Sequence, residues 1–139
     1  GGFSMLMGDL LTLKQHKLPV KLVVFDNHSL GFVAMEMKAA GFYSHDTDLD
    51  NPDFAEIAKG AGIEATCVEN GSELEQAVKT MLASDGPYLL SVKTAKQELA
   101  MPPKVKLEQA KGFSLYMLKA ILNGDGNALV ELGKTNLLR

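Results

Sequence analysis

The sequence predicts an α/β fold: a parallel sheet flanked by helices, followed by a C-terminal amphipathic helical tail. Three observations carry this. The run VKLVVF at 20–25 is β-branched and apolar nearly throughout, as in a strand buried within a parallel sheet. Two further short runs, ATCV at 65–68 and YLLSVKT at 88–94, follow turn-forming residues. Segments of helical periodicity separate the three, and the order α-β-α-α-β-α-β is that of crossover-connected parallel strands.

The elements follow in chain order. Phe3 to His16 reads as one helix, with Met5, Leu6, Leu10 and Leu13 at helical spacing, stopped by Leu18-Pro19. After the first strand, Asp26-Asn27-His28-Ser29 is rich in turn formers. Leu30 to Ala40 reads as a short helix closed by Gly41, and 42–52 as a polar loop. Pro52-Asp53 opens a helix through Lys59, with Gly60 and Gly62 behind it. Ser72 is expected to cap a helix reaching Ala83, with Glu75 completing a capping box. Pro102-Pro103 marks a boundary. Beyond it Phe113, Tyr116, Met117, Ala120 and Ile121 recur at helical spacing, Gly124-Asp125-Gly126 forms a hinge, and 128–138 is a last short segment. The expected division is therefore 1–97 and 98–139.

Composition narrows the function classes. With 46% hydrophobic and 22% charged residues the chain should fold. The single cysteine, Cys67, excludes an internal disulfide framework and a cysteine-based zinc site, and suits a reducing cytoplasm. No apolar run approaches the roughly 18 residues that span a bilayer, and Gly1-Gly2-Phe3-Ser4 lacks the basic segment of a signal peptide. The net charge of −3 divides into −6 over residues 1–95 and +3 over 96–139. A basic tail on an acidic body suits an anionic partner such as a lipid surface, or docking on its own acidic body.

The candidate site is Asp26 to Gly31, at the carboxyl end of the most strand-like segment, where open parallel sheets bind ligands. Asn27 offers a neutral amide oxygen to a hard cation such as Mg²⁺. Gly31 permits close approach of the backbone to a ligand, and the amides of the helix after Gly1-Gly2 are placed to face a phosphate. His28 reads as a turn histidine beside this site. Asp46, Asp48 and Asp50 alternate like calcium ligands but lack the glycine and terminal glutamate of that loop, so they read as solvated. His16 and His45 are too scattered for a metal motif, Glu36 reads as helix surface, and Cys67 and the methionines 5, 7, 35 and 37 as packing residues.

Longer strings carry a resemblance. Gly1-Gly2-Phe3-Ser4-Met5 looks like the remainder of a Gly-Asp-Gly-Gly-Phe-Ser-Met motif cut after its Asp, with Asn27 where the second Asn of the following turn belongs. Together with LPVKLVVFDNHSLGFVAMEMKAAG, AMPPKVKLEQAKGFSLYMLKAILNG and KTNLLR, this resembles the bacterial pyruvate oxidases, quinone-linked pyruvate dehydrogenases, over the whole chain. The resemblance implies a thiamine-diphosphate-binding fold truncated at its N-terminus, and a parent that uses thiamine diphosphate, Mg²⁺ and FAD. That parent decarboxylates pyruvate to acetate and CO₂ and passes electrons to membrane ubiquinone, with FAD held by a domain outside this chain. It implies that Gly1 and Gly2 approach the diphosphate. Asn27 and the backbone carbonyl of Ser29 would ligate Mg²⁺. Asn27, His28, Ser29, Leu30, Gly31, Phe32 and Val33 would form the loop around the diphosphate, with Phe32 helping electrons reach the flavin on activation. The region from about Glu98 onward would bind anionic membrane lipid.

The implied parent is a homotetramer, cytoplasmic and peripheral on the inner face of the cell membrane when active, with no nucleic-acid partner. Two departures matter: the Asp of the glycine motif is missing, and the first Asn of the turn is Asp26. The chain alone is therefore expected to bind Mg²⁺ weakly or not at all and to be catalytically inactive. The alternatives are a fragment of a non-oxidative thiamine-diphosphate decarboxylase or acetolactate synthase, and a standalone membrane-interaction module.

Overall fold

A computed structural model describes residues 1–96 and 106–137. Two compact units are present, one formed by Gly1–His28 and Asp50–Thr94, the other by Ser29–Leu49 and Ala95–Arg139. The second joins the loop-and-helix segment after the first strand to the tail, a discontinuous pairing. The boundary expected at Pro102-Pro103 and the tail's start near Glu98 lie outside the described residues.

The first unit is built on a three-stranded parallel sheet in the order β1-β3-β2, with β1 Lys21–Asp26, β2 Glu64–Val68 and β3 Tyr88–Lys93. β3 is central and buried along most of its length because every alternate residue meets a helix layer. Tyr88, Leu90 and Val92 pack with Val68 and with Ala77 and Met81 of α5 (Gly71–Ala83). Leu89 packs on the other side with Leu10 of α2 (Asp9–Gln15), Ile63, and Phe54 and Ala58 of α4 (Phe54–Gly60). The register sets Asp26 of β1 beside Lys93 of β3. The expectation of a parallel α/β sheet flanked by helices holds.

The first helix is not continuous. α1 (Gly2–Leu6) and α2 are separated at Met7-Gly8, where the amides of Leu10 and Leu11 bond three residues back, to Met7 and Gly8. Gly8 is the physical reason: glycine costs about 1 kcal/mol relative to alanine inside a helix. α2 then closes in a Schellman motif, with Leu18 N–H bonding Leu13 C=O and Lys17 N–H bonding Lys14 C=O. Lys17 takes the left-handed position at φ 51° that glycine usually fills. Phe3 of α1 meets Phe54 edge-on at 5.2 Å.

Asp53 caps α4, its carboxylate accepting from the amides of Ala55 and Glu56. The capping expected at Ser72 is corrected: α5 begins at Gly71 after an extended Asn70, so Ser72 is already helical and no side chain caps the end. Glu75 instead pairs with Lys79 one turn on, at 2.6 Å. Met5, expected to pack, is exposed, whereas Met7 packs against the Leu10–Phe54 cluster. Cys67 is half-buried, and burial pushes its thiol pKa up.

The second unit contains α3 (Gly31–Ala39), α6 (Leu107–Leu122) and α7 (Gly126–Leu137). α6 crosses α3 closely because Gly112 has no side chain: a Cβ there would lie 2.0 Å from the carbonyl oxygen of Ala39. Lys119 donates to the carbonyl of Gly41 at 2.7 Å, and Tyr43 to Asp125 at 3.0 Å. Of the residues at helical spacing, Tyr116 and Ala120 are buried, whereas Met117 and Ile121 are exposed. Gly124, at φ 80°, makes the hinge. Among the described residues, no helix is long and apolar enough to cross a membrane.

Candidate functional site

The predicted site residues divide between the units: Gly1, Gly2, Asn27 and His28 fall in the first, Ser29 to Val33 in the second. In the first unit a cavity of about 290 Å³ opens at the carboxyl end of β1. Gly1, Gly2 and Asn27 all line it, so residues far apart in the chain meet there, together with Asn51 and the half-exposed wall Val23–Phe25. A Cβ on Gly2 would meet nothing within 4 Å, so no neighbour in the chain requires glycine there. The expectation that helix amides face this space is reduced, because α1 is a single turn of five residues with little macrodipole.

Asp26 is the electrostatic centre of this end. Its side chain has no solvent exposure, yet it is ionised and fully engaged. Oδ2 accepts from Lys93 Nζ at 2.7 Å. Oδ1 accepts from Asn51 Nδ2 at 2.7 Å and from the His28 amide at 3.1 Å. Burial pushes the carboxyl pKa up, but the donors from Lys93, Asn51 and His28 outweigh it together and hold it below the ordinary value. The same bond to Asp26 raises the Lys93 pKa. His28 sits at φ 52°, a left-handed conformation unusual for a side-chain-bearing residue, with its Nε2 3.3 Å from Lys93 Nζ.

In the second unit Ser29 is buried, its hydroxyl donating to Thr47 C=O at 3.2 Å, and it forms an isolated antiparallel bridge with Asp48. The Leu30 amide donates to Thr47 C=O at 2.7 Å. Gly31 opens α3 and, with Ser29, Lys38, Tyr43 and Tyr116, lines a polar cavity of about 150 Å³. Phe32 is 74% exposed and Val33 also faces outward. Glu36 is exposed, and Asp46, Asp48 and Asp50 remain solvated, Asp48 pairing with Lys96. Among the described residues no three His, Cys, Asp or Glu side chains converge as a metal site.

Asn51 and Lys93 were missed in the sequence. Asn51 sits in a loop 25 residues past Asp26, and Lys93 lies 67 residues past it. The available signal was chemical: an Asp closing an apolar strand demands a cation, and Lys93 is the lysine that closes the other long apolar run.

Comparison with known proteins gives a consistent answer. Residues 1–92 match the family model "Thiamine pyrophosphate enzyme, C-terminal TPP binding domain". The chain is 40% identical over 135 residues to YdaP of Bacillus subtilis (strain 168), provisionally named a thiamine pyrophosphate-containing protein, covering 97% of this chain and 23% of YdaP. It is 39% identical over 104 residues to the acetolactate synthase isozyme 2 large subunit of Escherichia coli (strain K12), covering 73% of this chain and 19% of that subunit. It is 33% identical over 138 residues to the chloroplastic acetolactate synthase 1 of rice (Oryza sativa subsp. japonica), covering 93% and 20%. The chain thus spans about a fifth of the length of the curated relatives it matches. These relatives carry the thiamine-diphosphate expectation, but they are not named pyruvate oxidases, so the narrower expectation goes beyond them.

Proposed function

We propose, because this chain belongs to the thiamine pyrophosphate enzymes and carries their C-terminal TPP-binding domain, that it supplies the diphosphate side of a site at which a longer protein decarboxylates pyruvate. The observation that carries the reading is the meeting of Gly1, Gly2 and Asn27 on one cavity at the carboxyl end of β1. The donor set suits a diphosphate: neutral amides from Asn27 and Asn51, glycine backbone, and a carboxylate already neutralised by Lys93. It suits Mg²⁺ less well, because both oxygens of Asp26 are engaged. We assign Gly1, Gly2, Asn27 and His28 to the diphosphate, and the Asn27 amide oxygen to Mg²⁺. When bound, thiamine diphosphate supplies the electron sink for loss of CO₂, while these residues bind and orient it.

The relatives' names favour a non-oxidative second step, the joining of two pyruvate-derived units as in an acetolactate synthase. One observation supports the oxidative alternative, a FAD- and ubiquinone-linked pyruvate oxidase with Phe32 aiding electron transfer. The tail strings resemble that family. The matches do not separate the two readings, since YdaP covers 97% of the chain and the rice acetolactate synthase 93%, both past residue 92 where the family model ends. In the oxidative reading α6, with Leu107, Leu118 and Leu122 exposed, docks on anionic lipid as a tetramer's peripheral membrane contact.

The full-length enzyme, incubated with pyruvate, thiamine diphosphate and Mg²⁺, separates the two. Acetolactate formed without an electron acceptor supports the first reading. Acetate formed in step with reduction of a ubiquinone analogue, stimulated by anionic vesicles, selects the second. Neither product, or turnover independent of thiamine diphosphate, overturns both.

A further inference from the structure

Asp26 places a buried negative charge immediately before Asn27, on the edge of a cavity read above as taking an anionic diphosphate. A carboxylate so placed repels that ligand unless its charge is cancelled. We propose that Lys93 is a positioning residue of the diphosphate turn, acting through Asp26 rather than on the ligand itself. It cancels the carboxylate's charge and anchors the Asp26 side chain on which the turn is hung. This rests on the reading that the cavity binds thiamine diphosphate.

The geometry supplies each link. The parallel register sets Asp26 and Lys93 side by side, and Thr94 N–H donates to the Asp26 carbonyl at 3.0 Å, tying the two strand ends together. Lys93 Nζ reaches Oδ2 at 2.7 Å. The other oxygen is thereby left to Asn51 at 2.7 Å and to the His28 amide at 3.1 Å. The bond to His28 spans Asn27 and holds His28 in its left-handed conformation, so the backbone on both sides of Asn27 is determined by one carboxylate. With Lys93 removed, a buried carboxylate loses its counter-charge, and either the turn reorganises to hydrate it or its charge faces the cavity.

The test measures binding of thiamine diphosphate with Mg²⁺ to the full-length enzyme by calorimetric titration, alongside melting of the cofactor-free protein. Lys93→Met is expected to raise Kd about tenfold, about 1.4 kcal/mol, and Lys93→Arg to keep it within about twofold because the charge is retained. The double variant Asp26→Asn/Lys93→Met is expected to bind within about twofold of Asp26→Asn alone, since Lys93 has nothing left to act through. That last comparison decides the matter even where Lys93→Met fails to fold. Wild-type affinity in Lys93→Met overturns the inference. So does a Kd in the double variant more than about fivefold above that of Asp26→Asn, which would mean that Lys93 touches the ligand directly. Absence of binding by the wild-type enzyme overturns the diphosphate reading itself, a result distinct from either.

Discussion

Replacing Gly112 with alanine sets two effects of opposite sign against each other. Inside a helix, Gly→Ala stabilises by up to about 1 kcal/mol, because alanine loses less conformational freedom on folding. At Gly112, however, the new Cβ would lie 2.0 Å from the carbonyl oxygen of Ala39, 2.8 Å from its carbonyl carbon and 3.1 Å from the carbonyl carbon of Ala40. A carbon–oxygen contact ordinarily closes to roughly 3.3 Å, so α6 and α3 must separate by about 1.3 Å. The obstruction is backbone, with no side chain free to turn aside. Overpacking costs typically 1–3 kcal/mol, and the upper end applies when backbone must shift. The net expectation is destabilisation by about 2 kcal/mol. Urea denaturation followed by far-UV circular dichroism measures this, with hydrogen exchange of the α6 amides locating it. Gly133→Ala in α7 is the control: nothing lies within 4 Å of its Cβ, so a gain of about 0.5–1 kcal/mol is expected. Equal stability of the two variants would refute the close-packing argument.

Other outcomes follow from particular contacts. Asp53→Ala removes the acceptor for two orphan amides of α4 and is expected to cost about 1 kcal/mol in thermal or chemical denaturation. Asp26 has a folded-state pKa below its unfolded value of 3.8. Its contribution is therefore complete above that value and lost as the pH falls through the folded pKa. Asp26→Asn should flatten the stability profile in that acid range, as followed by urea midpoints. Lys38 is buried, and desolvation first, then Lys96, pushes its pKa below 10.5 against the pull of Asp125 and Asp48. Between the folded value and 10.5 the unfolded chain binds more protons, so stability rises with pH there. Lys38→Met should abolish that rise in alkaline urea titrations.

How much of this was legible varies with the range of the interaction. YLLSVK announces β3 because a strand buried on both faces is written in contiguous apolar residues. VKLVVF announces a strand by the same pattern, but the burial expected for it is corrected, since β1 lies at an edge of the sheet with Val23 and Phe25 exposed. Asp53 announces α4 because capping is local, spanning three residues. Ser72 misled for the same reason. A Ser with Glu three residues on satisfies the capping pattern, but the backbone had already turned helical at Gly71, so the true boundary residue is Asn70. The break between α1 and α2 was masked by apolar spacing that continues across Gly8. Met117 and Ile121 share the helical spacing of Tyr116 and Ala120, yet only the latter pair is buried, because periodicity names a stripe and not which part of it finds a neighbour.

The candidate site shows the same division. Gly1, Gly2 and Asn27 stood out by their motif, and the resemblance of the longer strings carried the thiamine-diphosphate family, while its narrower pyruvate oxidase part goes beyond the relatives found. The sequence by itself determined the class of fold and the alternation of helices and strands. These depend on local propensity and on patterns a few residues long. Only the tertiary structure decided that Asp26 is buried and neutralised. The partners responsible, Asn51 and Lys93, are brought to it by a loop and by the parallel register with β3. A charge pair across 67 residues leaves no periodic trace, because register, not sequence distance, sets which side chains meet.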